Sequence, residues 1–419
     1  MNIVKLLKSN IIIYLIIAIS PLIDIIYTIN TKFLSIDFPF QQIIRIVIVI
    51  YLFLNIKIKE NRVTIIGLGL LFLLGQIYII INKYDYNIVS NFSYILKILN
   101  LFCIVAYTKE KLDYNFIKLQ NVIKSLKVAS IILSSNIILS NTFKIGLKTY
   151  DYGDRSGYKG FIEAHNDITI VLLMILPIIV CEYFKYKRNL DAALIIIISI
   201  SLLMIGPKAG KILLLLEIIV LLANNLKSVK VSRLTKKISI FISIIISLFL
   251  LTNFSYMQNR IEKYAQGKGY RSVYSYIVSY RDIQPRLIDN AIGDKFEVHP
   301  KYLFGMGYFY ANKELNNEKK EFYSIENDFE GLIYYNGLVT SAIIVYLIAN
   351  WILKVFKNKK IDKDIRFYVI IALSIGIIHS FLGGHVLYSA ISNTYFSIIL
   401  AIGCYKCEEN KKLVSIRGV

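Results

Sequence analysis

The stretch that decides the fold is the first long apolar run, residues 11–30, which reads IIIYLIIAISPLIDIIYTIN. It carries one charged residue, Asp24, and as a helix it would extend for about 30 Å, the thickness of the hydrocarbon core of a bilayer. No small-residue cleavage site follows, and the run is too long for the apolar region of a signal peptide. We therefore expect an uncleaved membrane-spanning helix.

Similar apolar runs recur along the chain. The predicted spans cover residues 11–30, 38–56, 63–82, 91–108, 122–143, 166–184, 190–206, 207–225, 238–254, 329–353, 367–386 and 388–404. Hydrophobic residues make up 56% of the chain and charged residues 18%, whereas a soluble domain is usually about 45–50% apolar. Hydrocarbon offers backbone polar groups no partner outside the chain, so each span should be helical. The predicted fold is all-α: a single membrane domain over residues 1–419, a polytopic transmembrane bundle of about 12 spans.

The distribution of charge orients this bundle. With the N-terminus in the cytoplasm, the loops on that side carry a net charge of +19 and those on the other side a net charge of zero. An excess of Lys and Arg on alternate loops is the positive-inside rule, so both termini are expected in the cytoplasm. The net charge of +21 then has a topological cause, and without a compact basic domain we expect no nucleic-acid partner.

Two predicted outside loops are too long to be simple connections. The first, residues 144–165, includes YDYGDRSGYKGF at 150–161 and runs into EAHND at 163–167. The second, residues 255–328, lies between spans 9 and 10 and is rich in tyrosine. Loops longer than about 15 residues are usually functional or disordered, and the aromatic content argues against disorder. We expect the large loop to be extracytoplasmic and to form short helices on the membrane surface.

Several ionisable residues lie inside the predicted spans, where they are costly and usually functional. They are Asp24, Arg45, Lys97, Lys208, Lys211 and Glu217. Asp24 and Arg45 should lie in the outer half of the membrane, where they could pair. The three lysines are expected at the same level, and Glu217 lies deeper. Together with Arg45, these lysines would suit a diphosphate or another anionic headgroup. For Lys97 and Lys211, snorkelling to the membrane surface is the alternative.

The sequence ENDFEGLIYYNGLVT at residues 326–340 resembles the start of a late span in the bacterial O-antigen ligase/polymerase superfamily, which includes the Wzy-type polymerases. In that frame Asn327 is followed by nine residues, Gly337, two residues and Thr340. The family's Gly-x-Gly segment resembles Gly305-Met306-Gly307, and its Ser-Arg turn resembles GPKAGK at 206–211, with Lys208 in the arginine's place. The resemblance covers roughly residues 150–400.

The resemblance implies a polysaccharide polymerase of the bacterial cytoplasmic membrane, which moves a growing glycan from polyprenyl diphosphate to a lipid-linked oligosaccharide repeat unit. Cations would stabilise the diphosphate leaving group, and a base would accept the proton of the acceptor hydroxyl. The candidate catalytic residues are Arg155, Arg271, Arg281, Glu326 and His165, with His299 as a further base. The candidate substrate-binding residues are Arg45, Lys208, Lys211, Asn166, Asn327, Gly305 and Gly307.

Some of these residues have simpler alternatives. Asn166 is well placed to cap the following helix, and Glu326 could complement a helix dipole. His379 and His385 are expected to be structural. A divalent-ion site at His165 with its acidic neighbours is weakly indicated, so no metal and no cofactor is expected.

Two other functions stay open. A ligase that moves finished glycan to another acceptor is disfavoured because ligases of the superfamily have histidine where this chain has Glu326. A lipid-linked oligosaccharide flippase, from a different class of protein, should have charges along a central cavity and short loops, which the large loop contradicts. The expected partners are the polyprenyl-diphosphate-linked oligosaccharide and membrane lipids, with a flippase and a chain-length regulator as candidate protein partners.

Overall fold

The computed structural model describes residues 11–36, 38–149, 157–228, 281–292, 303–318 and 324–406. Within these ranges it has thirteen α-helices and one two-stranded hairpin. The helices are α1 (Ile11–Lys32), α2 (Phe40–Asn55), α3 (Lys59–Ile81), α4 (Ile88–Asp113), α5 (Leu119–Phe143), α6 (His165–Tyr186), α7 (Asn189–Ile205), α8 (Lys208–Ser228), α9 (Gln284–Ile292), α10 (Tyr308–Glu318), α11 (Asp328–Lys357), α12 (Lys363–Leu382) and α13 (Ala390–Cys404). The strands are β1 (Leu147–Lys148) and β2 (Tyr158–Gly160), and a 3₁₀ turn, Arg281–Ile283, precedes α9.

The helices confirm the predicted bundle. Eleven of the twelve predicted spans coincide with α1–α8 and α11–α13, and the predicted span 238–254 lies outside the described residues. Among the described residues, seven helices are long and apolar enough to cross a membrane, and α2, α7 and α13 are shorter apolar helices. The predicted break after span seven is also present: α7 ends at Ile205, Gly206 has a φ of 104°, and α8 begins at Lys208.

The centre of the bundle is formed by α6 and α13. Every residue of α13 is buried, and so is α6 from Asn166 to Glu182. Because α13 packs against α4, α6 and α12, its polar side chains find partners inside the protein. Asn393 Nδ2, for example, donates to the carbonyl oxygens of Lys97 (2.8 Å) and Leu387 (2.5 Å). Such bonds join helices where water cannot compete.

Helix α11 is broken at Gly337, whose φ of 77° and ψ of 167° are not helical. The 305–307 segment fills the break: the N–H of Met306 donates to the carbonyl of Tyr334 (2.9 Å), and the N–H of Gly307 to that of Tyr335 (3.1 Å). Backbone groups freed inside a membrane protein need such partners. A side chain at Gly337 would clash with the carbonyl of Leu303, so glycine is required by both φ and space.

One predicted boundary is wrong. The predicted spans 367–386 and 388–404 leave a single residue between them, whereas α12 ends at Leu382 and α13 begins at Ala390. The residues between them form a loop, the 383–389 loop. Hydropathy concealed it because Val386 and Leu387 are apolar, and they are buried inside the protein.

The first long loop folds back on the end of α5. Its strands pair as an antiparallel hairpin, and two asparagines of α5 hold β2. Asn136 accepts from the N–H of Phe161 (2.9 Å), and Asn141 both accepts from the N–H of Tyr158 (2.9 Å) and donates to its carbonyl (2.8 Å). These bonds fix the chain that leads to α6.

Candidate functional site

The predicted pairing of Asp24 with Arg45 is confirmed. The Arg45 guanidinium and the Gln41 amide both donate to Asp24 Oδ1, which joins α1 to α2. The side chain of Asp24 is 7% exposed and that of Arg45 is 21% exposed. A carboxylate buried this deeply in a spanning helix needs a cation and a hydrogen-bond donor, and it has both.

Lys97 joins this pair from α4. It lies within electrostatic range of Arg45, Asp24 and Asp167, the last of which is in the first turn of α6. Lys97 therefore lies near charged side chains of other helices. Lys211, in contrast, is exposed, as the snorkelling alternative expects.

These charges line one cavity of about 500 Å³. The cavity lies where α1 ends and where α2, α6 and α13 begin. Its lining residues are Asp24, Tyr27, Thr28, Gln41, Arg45, Lys97, Ile162, Glu163, Ala164, Asp167, Tyr308, Ser324, His385, Tyr388, Ser389, Ala390 and Ile391. The volume is in the range of small-molecule sites, and the lining carries charges of both signs, so it can hold an anion and handle a proton.

A histidine–aspartate pair lies in the same cavity. Nδ1 of His385 is 3.6 Å from Oδ1 of Asp167, whose other oxygen accepts from the hydroxyl of Ser389. His385 has a φ of 66°, a left-handed conformation that is uncommon for residues other than glycine. The hydroxyl of Ser392 donates to its carbonyl oxygen. Strained backbone of this kind persists when its surroundings hold it and often accompanies function.

The 383–389 loop is held from α11 by the buried carboxylate of Asp328. Oδ2 accepts from the N–H groups of Val386 (2.8 Å) and Leu387 (3.0 Å) and from the hydroxyl of Ser380 (2.8 Å). On the other side of the loop, the phenol of Tyr388 donates to the carbonyl of Ile325 (2.6 Å). Burial raises the pKa of Tyr388 well above its ordinary value, so this phenol stays protonated.

Two of the predicted catalytic residues bind each other beside this loop. Nε of Arg281 donates to Oε2 of Glu326 over 2.6 Å, and Nη1 of Arg281 donates to the carbonyl of Leu382 over 3.3 Å. The N–H of Glu326 donates to the side chain of Gln284 (2.9 Å), which fixes the pair to α9. His165, at the start of α6, lies within electrostatic range of Arg281 and of His385 in the cavity. The pair therefore lies close to the cavity, near the 383–389 loop.

The other predicted residues have the following places. Arg155, Arg271 and His299 lie outside the described residues, as does the side chain of Lys208. The predicted capping role of Asn166 is wrong: α6 begins at His165, Ala164 is the N-cap, and no side chain caps it.

Asn327, in contrast, is an N-cap. Its side chain accepts from the N–H groups of Phe329 (3.0 Å) and Glu330 (3.3 Å) at the start of α11. Gly305 and Gly307 lie against the break in that helix. Their binding roles stay predictions.

Sequence reasoning overlooked the part of the site formed by the 383–389 loop. His385 was expected to be structural, and Asp167 was considered only as a metal ligand. Within the described ranges, His165, Glu163 and Asp167 do not form a group that could hold a metal ion. Glu163 pairs with Lys32 (3.0 Å), and Asp167 accepts a hydrogen bond from Ser389. The available signal was three polar residues, His385, Tyr388 and Ser389, soon after Gly383-Gly384 at the end of an apolar span.

A family model described as O-antigen ligase like membrane protein matches residues 8–262. The match contains α1–α8, and with them Asp24, Arg45, Lys97 and Asp167. It overlaps the region of resemblance over residues 150–262 and ends before the 326–340 motif. Neither the curated proteins nor the solved structures contain a match to the chain.

Proposed function

The chain belongs to the O-antigen ligase-like membrane protein family, and from this premise we propose that it is a glycan polymerase. It transfers a growing glycan from polyprenyl diphosphate to the oligosaccharide repeat of a second lipid-linked molecule, on the outer face of the bacterial cytoplasmic membrane. The observation that carries this proposal is the cavity whose lining combines Arg45 and Lys97 with the His385–Asp167 pair.

The cations of the cavity would stabilise the diphosphate leaving group. When the bond between the donor sugar and the diphosphate breaks, negative charge grows on the phosphate oxygens. Arg45 and Lys97 line the cavity, where cations placed before the reaction can stabilise the charge that develops on the leaving group. Asp24 holds Arg45 in place. Because Asp24, Glu163 and Asp167 also line the cavity, further cations are needed, and the predicted loop residues Arg155 and Arg271 are the candidates.

His385 would act as the general base for the acceptor hydroxyl. The acceptor hydroxyl oxygen attacks the anomeric carbon of the donor sugar, its proton passes to Nε2 of His385, and the polyprenyl diphosphate leaves with the bonding electron pair. Asp167, 3.6 Å from Nδ1, stabilises the imidazolium that forms. This distance exceeds a hydrogen bond, but such contacts are often long in the absence of substrate and shorten in the complex.

We favour His385 as the base over Glu326 and His165. Glu326 is bound to Arg281, so its Oε2 is already occupied by a guanidinium. Neither Glu326 nor His165 is among the residues that line the cavity. The Arg281–Glu326 pair instead holds the end of α12, where the 383–389 loop begins, through the bond from Arg281 to Leu382.

Orientation follows from the charge distribution. The net charge of +19 on one set of loops supports cytoplasmic termini. The cavity then opens on the non-cytoplasmic side, where the 144–165 and 255–328 loops also lie. Lipid-linked repeats would reach it after a flippase has moved them across the membrane.

The test is complementation of a deletion strain, with polymer and lipid-linked single repeats separated on gels. His385→Gln should reduce the polymerisation rate by about 100-fold or more, the usual contribution of a general base, and single repeats should accumulate. The double variant Asp24→Asn/Arg45→Gln should do the same without leaving a buried carboxylate unpaired. Lys185→Ala is the matched control, because Lys185 forms an exposed ion pair with Asp362 at the other end of the bundle.

The outcomes separate the three functions. Polymer of normal length in both cavity variants would refute this site. A deletion strain that still makes long lipid-linked polymer would identify a ligase. Purified protein in nanodiscs that elongates labelled lipid-linked repeats without a membrane gradient would exclude a pure flippase.

A further inference from the structure

The exposed side of α10 forms a second pocket, of about 410 Å³. Its lining residues are Tyr308, Phe309, Asn312, Lys313, Asn316 and Asn317. They recur at helical spacing, so the two aromatic residues lie at one end of a stripe of amides. Tyr308 lines both this pocket and the large cavity, so the two spaces are adjacent.

The aromatic end of the pocket is rigid. The ring of Tyr308 stacks on Tyr94 at a centroid distance of 5.2 Å and meets the edge of Tyr335 at 5.0 Å. The N–H of Phe309 donates to Asn91 of α4 (2.9 Å), which fixes the start of α10. Burial raises the pKa of Tyr308, so its hydroxyl stays neutral. Flat, fixed rings of this kind provide apolar contact area at low entropic cost.

The amide part of the pocket contains a donor without a partner. Asn312 is 8% exposed, and its Oδ1 accepts from the N–H of Ile325 (3.1 Å) and the hydroxyl of Tyr335 (2.7 Å). Its Nδ2 has no hydrogen-bond partner in the described part of the chain. A buried donor left unpaired costs about 1–3 kcal/mol, so a ligand that reaches Asn312 and accepts this hydrogen bond would remove that cost.

The charge of the pocket narrows the class of ligand. Among the described residues that line the pocket, only Lys313 is charged, and it is paired with Asp85. This described lining therefore offers no uncompensated cation of the kind that a phosphate requires. Side-chain amides can donate and accept together and so match neighbouring hydroxyl groups, while aromatic rings match the C–H faces of a sugar ring.

We propose that α10 is a glycan subsite that binds neutral sugar residues of the lipid-linked oligosaccharide, next to the cavity that takes the diphosphate. The assignment rests on the proposed function for the identity of the glycan. Tyr308 separates the two compartments, so a chain anchored in the cavity by its diphosphate passes over this ring into the pocket. The subsite holds the sugars in register with the reacting bond.

The experiment measures binding of the free oligosaccharide to the full-length protein in nanodiscs. The probe is the repeat-unit oligosaccharide released by mild acid from lipid-linked repeats of the deletion strain, and binding is followed by saturation-transfer NMR. Phe309→Ala and Asn317→Ala should each weaken binding by about three- to tenfold. Phe116→Ala is the matched control, because it removes an exposed phenylalanine from the opposite end of the bundle. Inorganic diphosphate, a ligand for the cavity, should not displace the oligosaccharide.

Each result decides the assignment. Weakened binding in both variants, with the control unchanged, supports the subsite. Equal affinity in all proteins, or no binding by the wild type at millimolar probe, overturns it. Asn317 is exposed, so its variant tests the subsite even if Phe309→Ala fails to fold. If binding behaves as expected but the wild type never elongates lipid-linked repeats, the subsite stands and the polymerase proposal falls.

Discussion

Asp328→Ala tests whether the 383–389 loop is held in place from α11. The carboxylate is fully buried, and a single oxygen, Oδ2, accepts three hydrogen bonds. Two of the donors are backbone N–H groups of the loop, at Val386 and Leu387, both of which are buried. Alanine removes the acceptor and provides nothing in its place, so three buried donors lose their partner.

The cost can be worked from these contacts. A buried donor left without a partner costs about 1–3 kcal/mol, so three donors cost about 3–9 kcal/mol. Relief from burying the carboxylate offsets part of this, because its Oδ1 has no partner within the described residues. Asp328→Asn keeps an acceptor oxygen and exchanges charge-assisted bonds for neutral ones, at about 1 kcal/mol each. Ser380→Ala removes one bond. We therefore expect the alanine variant at Asp328 to be the most damaging of the three.

Two measurements are needed, because Asp328 acts through the loop and not on the substrate. Thermal unfolding in nanodiscs should give the stability order wild type, Ser380→Ala, Asp328→Asn, Asp328→Ala. The elongation rate per folded molecule should also fall in both Asp328 variants, since the loop carries His385. Asp364→Ala, at an exposed position in the first turn of α12, is the matched control. Wild-type stability and rate in Asp328→Ala would refute the reasoning.

Two further substitutions test the spans themselves by thermal unfolding in nanodiscs. Gly337→Ala should destabilise the protein by several kcal/mol, because alanine is strained at a φ of 77° and its Cβ would clash with the carbonyl of Leu303. Gly69→Ala is the control and should match wild type, because the space at its Cβ position is open. Equal unfolding midpoints for the two variants would contradict the role of the break. Glu217 is buried in α8, and neither of its carboxylate oxygens is paired in the described part of the chain. Glu217→Leu should therefore increase the free energy of unfolding by up to about 3 kcal/mol and raise the unfolding midpoint. A lowered midpoint would mean that this carboxylate has a partner when the protein is in a membrane.

Hydropathy predicts the described spans well because a spanning helix depends mainly on its own residues. Because hydropathy considers only the residues of the segment itself, it also placed the end of α12 wrongly, at residue 386 instead of Leu382. Val386 and Leu387 are as apolar as a span, but their N–H groups bond to Asp328, more than fifty residues away in sequence. Whether an apolar segment faces lipid or the interior of the protein depends on such distant partners, which no local pattern contains.

The sequence predicted contacts in the candidate site only where a side chain had few possible partners. Ionisable groups in adjacent spans at one depth have hardly any partners except each other, so the pairing of Asp24 with Arg45 could be predicted. Glu326 lies in a loop with many basic residues, and nothing in its neighbourhood singled out Arg281. His385 could not be separated from a structural histidine such as His379, which is fully buried and donates to the carbonyl of Gly384.

The break in α11 has a consequence for the proposed chemistry. The short N-terminal part of the helix, residues 328–336, carries the Asp328 carboxylate that holds the 383–389 loop. The carbonyl groups of Tyr334 and Tyr335 bind the 305–307 segment, which leads directly into α10. One short half-helix therefore sets the position of His385 and of the glycan pocket relative to each other. The non-helical geometry at Gly337 allows this half to point in a direction different from that of the membrane span. A shift of the half-helix would displace the base and the sugar-binding surface together, so the reacting bond and the bound glycan keep their register.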